Sequence, residues 1–244
     1  MPWDFWLIFV VLGALLPLRG RLRLQKLMVI SQVGTRERLS LYASTIGFQW
    51  LAAAAVAWRA WARGLSFEQL GLVVHGRWRI LIAAIVGAAT LGGFQWFNLR
   101  RMGKSSGKAR EFMQVLAERI LPQSRAELIP FLALAATAGL CEEFLYRGFA
   151  MAALTRAGLP GWSVVLLSSI LFGLAHLYQG RGGLLSTLVI GTVFGTARIA
   201  YDGLFPVMLW HFTVDAVAGV AGPKYLVRAP TTTAKEEIHS PVEI

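Results

Sequence analysis

Leu128-Ile-Pro-Phe-Leu-Ala-Leu-Ala-Ala-Thr-Ala-Gly-Leu-Cys-Glu-Glu-Phe-Leu-Tyr-Arg147 is the stretch that decides how the rest of the chain is read. After Leu128 it has the composition of a membrane helix as far as Cys141, and then presents Glu142, Glu143 and, one turn on, Arg147. A charge at bilayer depth costs roughly 2.5–3.5 kcal/mol on insertion scales, so two adjacent carboxylates in an apolar run call for a function. At 3.6 residues per turn Glu143 and Arg147 share a face and can pair. Glu142 points about 100° away from Glu143 and has no charged partner within its own helix. The stretch therefore predicts one neutralised carboxylate and one still without a partner.

The rest of the composition agrees with a membrane setting. The 244 residues are 56% hydrophobic and 15% charged, with a mean hydropathy of +0.56. A soluble domain would carry about 25% charged residues. The net charge of +11 raises nucleic acid as a partner. The basic residues, however, lie between apolar runs and form no single stripe, as expected for Lys and Arg that hold cytoplasmic loops in place. The one cysteine, Cys141, rules out an intramolecular disulfide framework. Beside Glu142 it reads as a small buried hydrophobe.

The apolar runs predict an all-α, polytopic membrane bundle of about seven or eight transmembrane helices. Trp3 to Leu18 is expected as a retained first helix, since no basic residue precedes it and no small-residue cleavage site follows. Arg19 to Arg38 suits either an interfacial helix or a basic loop. Further spans are expected over Leu39–Trp58, Ile80–Phe97, Leu128 to about Thr155, Trp162–Tyr178, Leu184–Ala200 and Leu204–Val220. The polar stretch Asn98–Glu127 holds seven basic residues, with a surface helix over Ala109–Leu121. Gln179–Gly183 reads as a tight turn, Gly191 and Gly195 have the spacing of close helix contact, and Arg198 can snorkel. Three regions follow: membrane helices with basic interfacial loops over 1–127, a core over 128–220, and a polar mobile tail over 221–244. Placing 19–38 and 98–127 in the cytoplasm puts the N-terminus outside and the C-terminus inside.

Polar residues inside the spans are few, and several are spaced four apart. The fifth span carries Phe172 and His176, and the seventh carries His211 and Asp215, so each pair lies on one helical face. Two histidines, two glutamates and an aspartate on three helices satisfy one another if grouped, and each carries its own desolvation cost if scattered. No serine in these spans has a nucleophile-elbow setting. Water activation remains. A carboxylate and an imidazole sharing one water can act as base and acid. Equally, Glu142, His176 and His211 make the two-His, one-Glu set of catalytic zinc, with one position open for water. For the groups to meet, the fifth helix has to be tilted or offset by a turn or two, because His176 comes late in it.

Glu142-Glu143-x-x-x-Arg147, Phe172-x-x-x-His176 and His211-x-x-x-Asp215, in that order on successive membrane helices, resemble the CAAX protease and bacteriocin-processing (CPBP) family. This family includes the type II CAAX prenyl endopeptidases and Abi-type membrane proteins. The resemblance covers roughly Leu128 to Val220. It implies an intramembrane endopeptidase in which Glu142 and His176 activate the attacking water and Glu143 and Arg147 brace the site. His211 and Asp215 would stand where the family places its oxyanion-stabilising His and its Asn or Asp. An ionised Asp cannot donate to an oxyanion as Asn can, so Asp215 is expected to orient His211 and fix its tautomer. The family has been described both as metalloproteases and as glutamate-dependent proteases, which leaves zinc open as a cofactor.

Under this resemblance the partners are a peptide or lipidated protein substrate and the lipid bilayer, with no nucleic acid. Two other classes compete. A non-catalytic membrane partner, of immunity or scaffold type, could use the same fold. An ion-coupled transporter could use the same buried charges, although no internal repeat or pair of interrupted helices supports it. The Ala-, Trp- and Arg-rich composition points to a bacterial inner membrane, where CAAX substrates are few and peptide or membrane-protein processing is favoured.

Overall fold

The computed structural model describes residues 1–30, 33–74 and 76–227, and every regular element among them is a helix. In chain order these are α1 (Trp3–Val29), α2 (Thr35–Ala62), α3 (Arg77–Lys104), α4 (Lys108–Ile120), α5 (Arg125–Arg156), α6 (Gly161–Ala175), α7 (Gly180–Tyr201) and α8 (Phe205–Leu226). Five of them (α1, α2, α3, α5 and α8), and α7 together with the single turn before it, are long and apolar enough to cross a membrane. The fifth expected span, α6, has 15 residues, about 22 Å of helix against a hydrocarbon core of about 30 Å. The chain is thus an integral, multi-pass, all-α membrane bundle.

The boundaries differ from expectation where tertiary contacts extend a helix. The last residues of the basic segment after Leu18 open α2 at Thr35, and its first part is not a separate interfacial helix, because α1 continues unbroken to Val29. Its Val11–Leu15 turn is π-helical, so the ladder is already displaced where Pro17 would remove a hydrogen bond to residue 13. Gly13 lies there against α6, with room so limited that a Cβ would come 2.9 Å from Leu171 Cδ2. At the other end α8 runs past Val220 to Leu226. Leu226 is buried with Leu99 and Ala117, and a Cβ on Gly222 would meet Leu121 Cδ1 at 2.6 Å. Residues 221–226 therefore close a helix, and the expected tail from 228 onward lies outside the described residues.

α5 is the centre of the bundle, packed by α8 on one side and α2 on another, with α3 behind α8 and α6 paired to α7. Phe5 and Leu12 of α1 and Ala53 and Val56 of α2 join Cys141, Phe144 and Phe149 of α5 and Phe172 of α6 in one core. α1 and α2 therefore share one hydrophobic core with α5 and α6. Arg198, expected to snorkel, is buried instead and donates to the Gln69 carbonyl at 3.1 Å and to Asp202 at 3.2 Å. Gly71 (φ +70°) makes way for that guanidinium, which would lie 2.3 Å from a Cβ there.

Polar clamps bring the two long basic segments to one end of the bundle. Arg38 grips Glu127 bidentately at 2.8 and 3.1 Å, and Glu127 also accepts from the Gln123 backbone at 2.7 Å. Arg119 donates to the carbonyls of Leu27 and Ile30, both at 2.5 Å. At the far end Asp4 accepts from Arg59 and Arg63. Tyr42 is fully buried and donates to the Ile120 carbonyl at 2.6 Å, tying α2 to the end of α4. Tyr42→Phe is expected to lower unfolding free energy by about 1 kcal/mol, the net value of such a bond plus an orphaned acceptor; thermal unfolding in detergent reads it, and no change would mean Ile120 is satisfied otherwise.

Candidate active site

The site is assembled where α5 changes its winding. Phe144–Ala150 is a π-helical stretch whose seven residues are all buried, and the two glutamates stand immediately before it. Glu143 and Arg147 pair at 3.0 Å, both with fully buried side chains. The Arg147 guanidinium lies over the Phe172 ring at 4.2 Å and near Phe194 at 5.6 Å. Gly191 of α7 leaves it room, since a Cβ there would come 3.1 Å from Nη2. The small-residue pair Gly191 and Gly195 therefore serves contacts within this chain, Gly195 closing on Val165 of α6.

α8 brings His211 to the same carboxylate. A Cβ on Gly139 would sit 2.8 Å from the Met208 carbonyl, so this glycine lets α5 and α8 lie backbone to backbone. His211 Nδ1 is then 2.7 Å from Glu143 Oε1. A carboxylate flanked by Arg147 accepts, so Nδ1 carries the proton and donates. The residue that orients His211 is thus Glu143, not Asp215 as the sequence suggested. Asp215 lies on the other ring edge, its Oδ2 3.6 Å from His211 Nε2, with a side chain 37% exposed.

His176 arrives from the end of α6. The helix stops at Ala175, shorter than expected, and His176 caps it before the single turn Leu177–Gln179. The early end of the helix leaves His176 beside Glu142, its Nε2 3.9 Å from Oε2. Nδ1 lies 2.9 Å from the Phe172 carbonyl. A carbonyl only accepts, so Nδ1 is the protonated nitrogen and Nε2 offers a lone pair.

Glu142 is the carboxylate left over. Its Oε1 accepts from Gln49 Nε2 of α2 at 2.6 Å, while Oε2 is buried with no hydrogen-bond partner among the described residues. That Oε2 stands 3.9 Å from His176 Nε2 and 4.0 Å from His211 Nε2. Three groups from three helices thus converge, as the i, i+4 spacing implied, with Asp215 at their edge. Gln49 was missed by the motif reading. A lone glutamine within the apolar run Leu39–Trp58 was the available signal.

Two cavities meet at this point. The larger, about 450 Å³, lies between α3, α4, α7 and α8, and Gln95, Asn98, His211 and Asp215 line it. The smaller, about 230 Å³, lies between α1 and α2 and is lined mainly by leucines and Phe48. Gln49, Glu142 and His176 belong to the walls of both.

The donor set is of the kind zinc uses, but its spacing is not. Two ligands of a tetrahedral zinc at about 2.0–2.1 Å stand about 3.3 Å apart, against 3.9 and 4.0 Å from Glu142 to the imidazoles. Among the described residues no group of three His, Cys, Asp or Glu side chains closes on a metal ion. A water at about 2.8 Å from each partner spans the observed separations comfortably.

Comparison with known families found one match. Residues 124–217 match the family model Type II CAAX prenyl endopeptidase Rce1-like. The resemblance drawn from the three motifs holds. No curated protein and no solved structure matches the chain. The Rce1-like segment contains α5 to most of α8, and so contains Glu142, Glu143, Arg147, His176, His211 and Asp215. Gln49 lies outside it, on a helix that the Rce1-like segment recruits to its site.

Proposed function

We propose that this protein is an intramembrane endopeptidase that hydrolyses peptide bonds of membrane-associated or lipidated substrates with a water activated by Glu142 and His176. The observation that carries the reading is Glu142 Oε2: a buried carboxylate oxygen without a partner, facing two imidazole Nε2 atoms at 3.9 and 4.0 Å. A water in that space donates to Oε2 and to the His176 lone pair. Glu142 takes its proton as the oxygen attacks the scissile carbonyl, and returns it to the leaving amine. His211 reaches the same space with Nε2 and, when doubly protonated, donates to the oxyanion. Glu143 and Arg147 act behind it, holding the ring through Nδ1. Asp215 Oδ2 lies 3.6 Å from the same Nε2, at the edge of that space. By the positive-inside rule the basic end of the bundle faces the cytoplasm, and a bacterial plasma membrane is the proposed location.

The test is cleavage of a quenched peptide library by detergent-purified protein, with metal content and chelator sensitivity measured beside it. Chelator-resistant cleavage without bound metal supports glutamate–histidine water activation. Stoichiometric zinc that is lost in Glu142→Ala would instead make it a two-His, one-Glu metalloprotease. Absence of cleavage for membrane-inserted as well as soluble peptides would favour the non-catalytic partner, and proton-coupled flux in proteoliposomes would favour the transporter. The Gln49 bond supplies a finer prediction. Gln49→Leu is expected to lower kcat about tenfold or more, since a hydrogen bond to a charged group is worth about 1.5–3 kcal/mol, with zero change showing that Glu142 is held without it.

A further inference from the structure

The smaller cavity is mainly apolar, yet it contains two arginines. Leu16, Arg19, Gly20, Arg23, Leu24 and Leu27 line it, which is one face of α1 at helical spacing. Arg21 and Lys26 on the same segment are exposed and serve the membrane surface, whereas Arg19 and Arg23 are half-buried and turned inward. Neither inward arginine has a carboxylate partner among the described residues. Arg19 stacks over the Phe48 ring at 3.8 Å. Arg23 donates to the hydroxyls of Thr45, at 3.0 Å, and Ser44. The one carboxylate that lines the chamber among the described residues, Glu142, bonds Gln49 and neither arginine, and two cations so placed in a mainly apolar chamber are costly unless something anionic joins them.

Their position relates them to the reacting groups. Gly20, between them on the stripe, approaches Tyr178 so closely that a Cβ would be 3.4 Å from its ring, two residues from His176. Arg23 is held on Thr45, and one helical turn along α2, about 6 Å, Gln49 holds Glu142. A peptide extended from the scissile bond advances about 3.3 Å per residue, so its next few residues reach the guanidinium groups.

We propose that the α1–α2 chamber receives the substrate on one side of the scissile bond, and that Arg19 and Arg23 bind a carboxylate there. The carboxylate is the chain's own terminus or an acidic side chain close to the cleavage point. Arginine suits this task because its planar fork meets a carboxylate with two parallel bonds. The inference rests on the protease reading for what the anion belongs to, and extends the site beyond the Rce1-like segment to α1.

The experiment uses the full chain in nanodiscs of phosphatidylcholine, with and without phosphatidylglycerol. Peptide pairs, built on cleaved library members or, where none is cleaved, on members that bind the Glu142→Gln protein, differ only in a free acid against an amide end, or in Glu against Gln at one position. KM and kcat are measured for wild type, Arg19→Gln/Arg23→Gln and Arg19→Lys/Arg23→Lys, and binding to the Glu142→Gln protein is read by fluorescence anisotropy. Wild type is expected to favour one carboxylate member by about tenfold or more in KM, the effect of a charge-assisted hydrogen bond. The preference falls to about unity in the double Gln variant, with kcat retained, and partly returns in the double Lys variant. The pair that shows it identifies terminus or side chain. Equal treatment of both members by wild type overturns the proposal, as does a preference that the double Gln variant keeps. A preference that exists only with phosphatidylglycerol assigns the arginines to lipid phosphates and also overturns it. If the preference appears in binding while wild type cleaves no peptide, the subsite stands and the protease reading falls.

Discussion

Glu142→Gln is expected to lower kcat by about 10²–10⁴-fold, the usual worth of a positioned general acid–base group, while leaving thermal stability within about 1 kcal/mol of wild type. The substitution keeps size and shape, and its amide oxygen can still accept from Gln49 Nε2, which now bonds Glu142 Oε1 at 2.6 Å. What changes is Oε2, the atom with no partner. As an NH2 group it offers two donors toward His176 Nε2 and His211 Nε2 and can no longer receive a proton from water. Single-turnover cleavage beside a melting curve checks both halves of the expectation. A Gln variant with near-normal kcat would remove Glu142 from the chemistry. A Gln variant that is inactive only because it unfolds would show that the carboxylate is structural.

Arg147→Met is expected to have the largest effect on stability, a loss of about 3–5 kcal/mol, because it strands a buried carboxylate. Glu143 is fully buried, and Arg147 and His211 are its two polar partners, at 3.0 and 2.7 Å. The guanidinium also fills the space between Phe172, Phe194 and the backbone at Gly191. Arg147→Lys keeps the charge but not the planar group that stacks on Phe172, so it is expected to restore only part of the loss. Replacing both members, Glu143→Gln with Arg147→Met, removes the stranded charge and should recover stability, with the Gln amide oxygen still able to accept from His211 Nδ1. Melting temperatures in detergent give the stability order, and activity of the double variant separates bracing from folding. A cost under about 1 kcal/mol for Arg147→Met would mean that the Arg147 pair does not hold Glu143 in the fold.

The two acidic neighbours therefore divide their duties by direction alone. Their difference was legible in the chain: residues 143 and 147 fall on one helical face, and residue 142 falls about 100° away. The partners that complete each of them were less so. Within α5 the spacing sufficed for Glu143 and Arg147, but the assignment of His211 to Glu143 depended on how closely α8 could approach. That approach is set by Gly139 facing the Met208 carbonyl, a contact between positions far apart in sequence. With it, Asp215 lost the orienting role that its i, i+4 spacing suggested and came to face the cavity instead.

The depth of His176 is a second case. Hydropathy continues through Tyr178, so the chain reads as a span that carries His176 near its far end. The helix in fact ends at Ala175 and is followed directly by a single turn and α7, which leaves the imidazole beside Glu142. Apolar composition reports that a segment is in the membrane; it does not report where the hydrogen-bond ladder stops.

By itself, then, the sequence determined the all-α membrane class, the order of the helices and the segment of family resemblance, and it named most of the side chains that converge in the candidate site, because hydropathy and helical period are local properties. Tertiary structure alone decided that α1 runs on through its basic residues, that Gln49 of α2 holds Glu142, that Glu143 rather than Asp215 orients His211, and that Arg19 and Arg23 face a chamber joined to the site. Each of these depends on which helix faces which, and that is settled by close backbone approach at a few glycines and by buried polar groups finding partners on other helices, neither of which has a period along the chain.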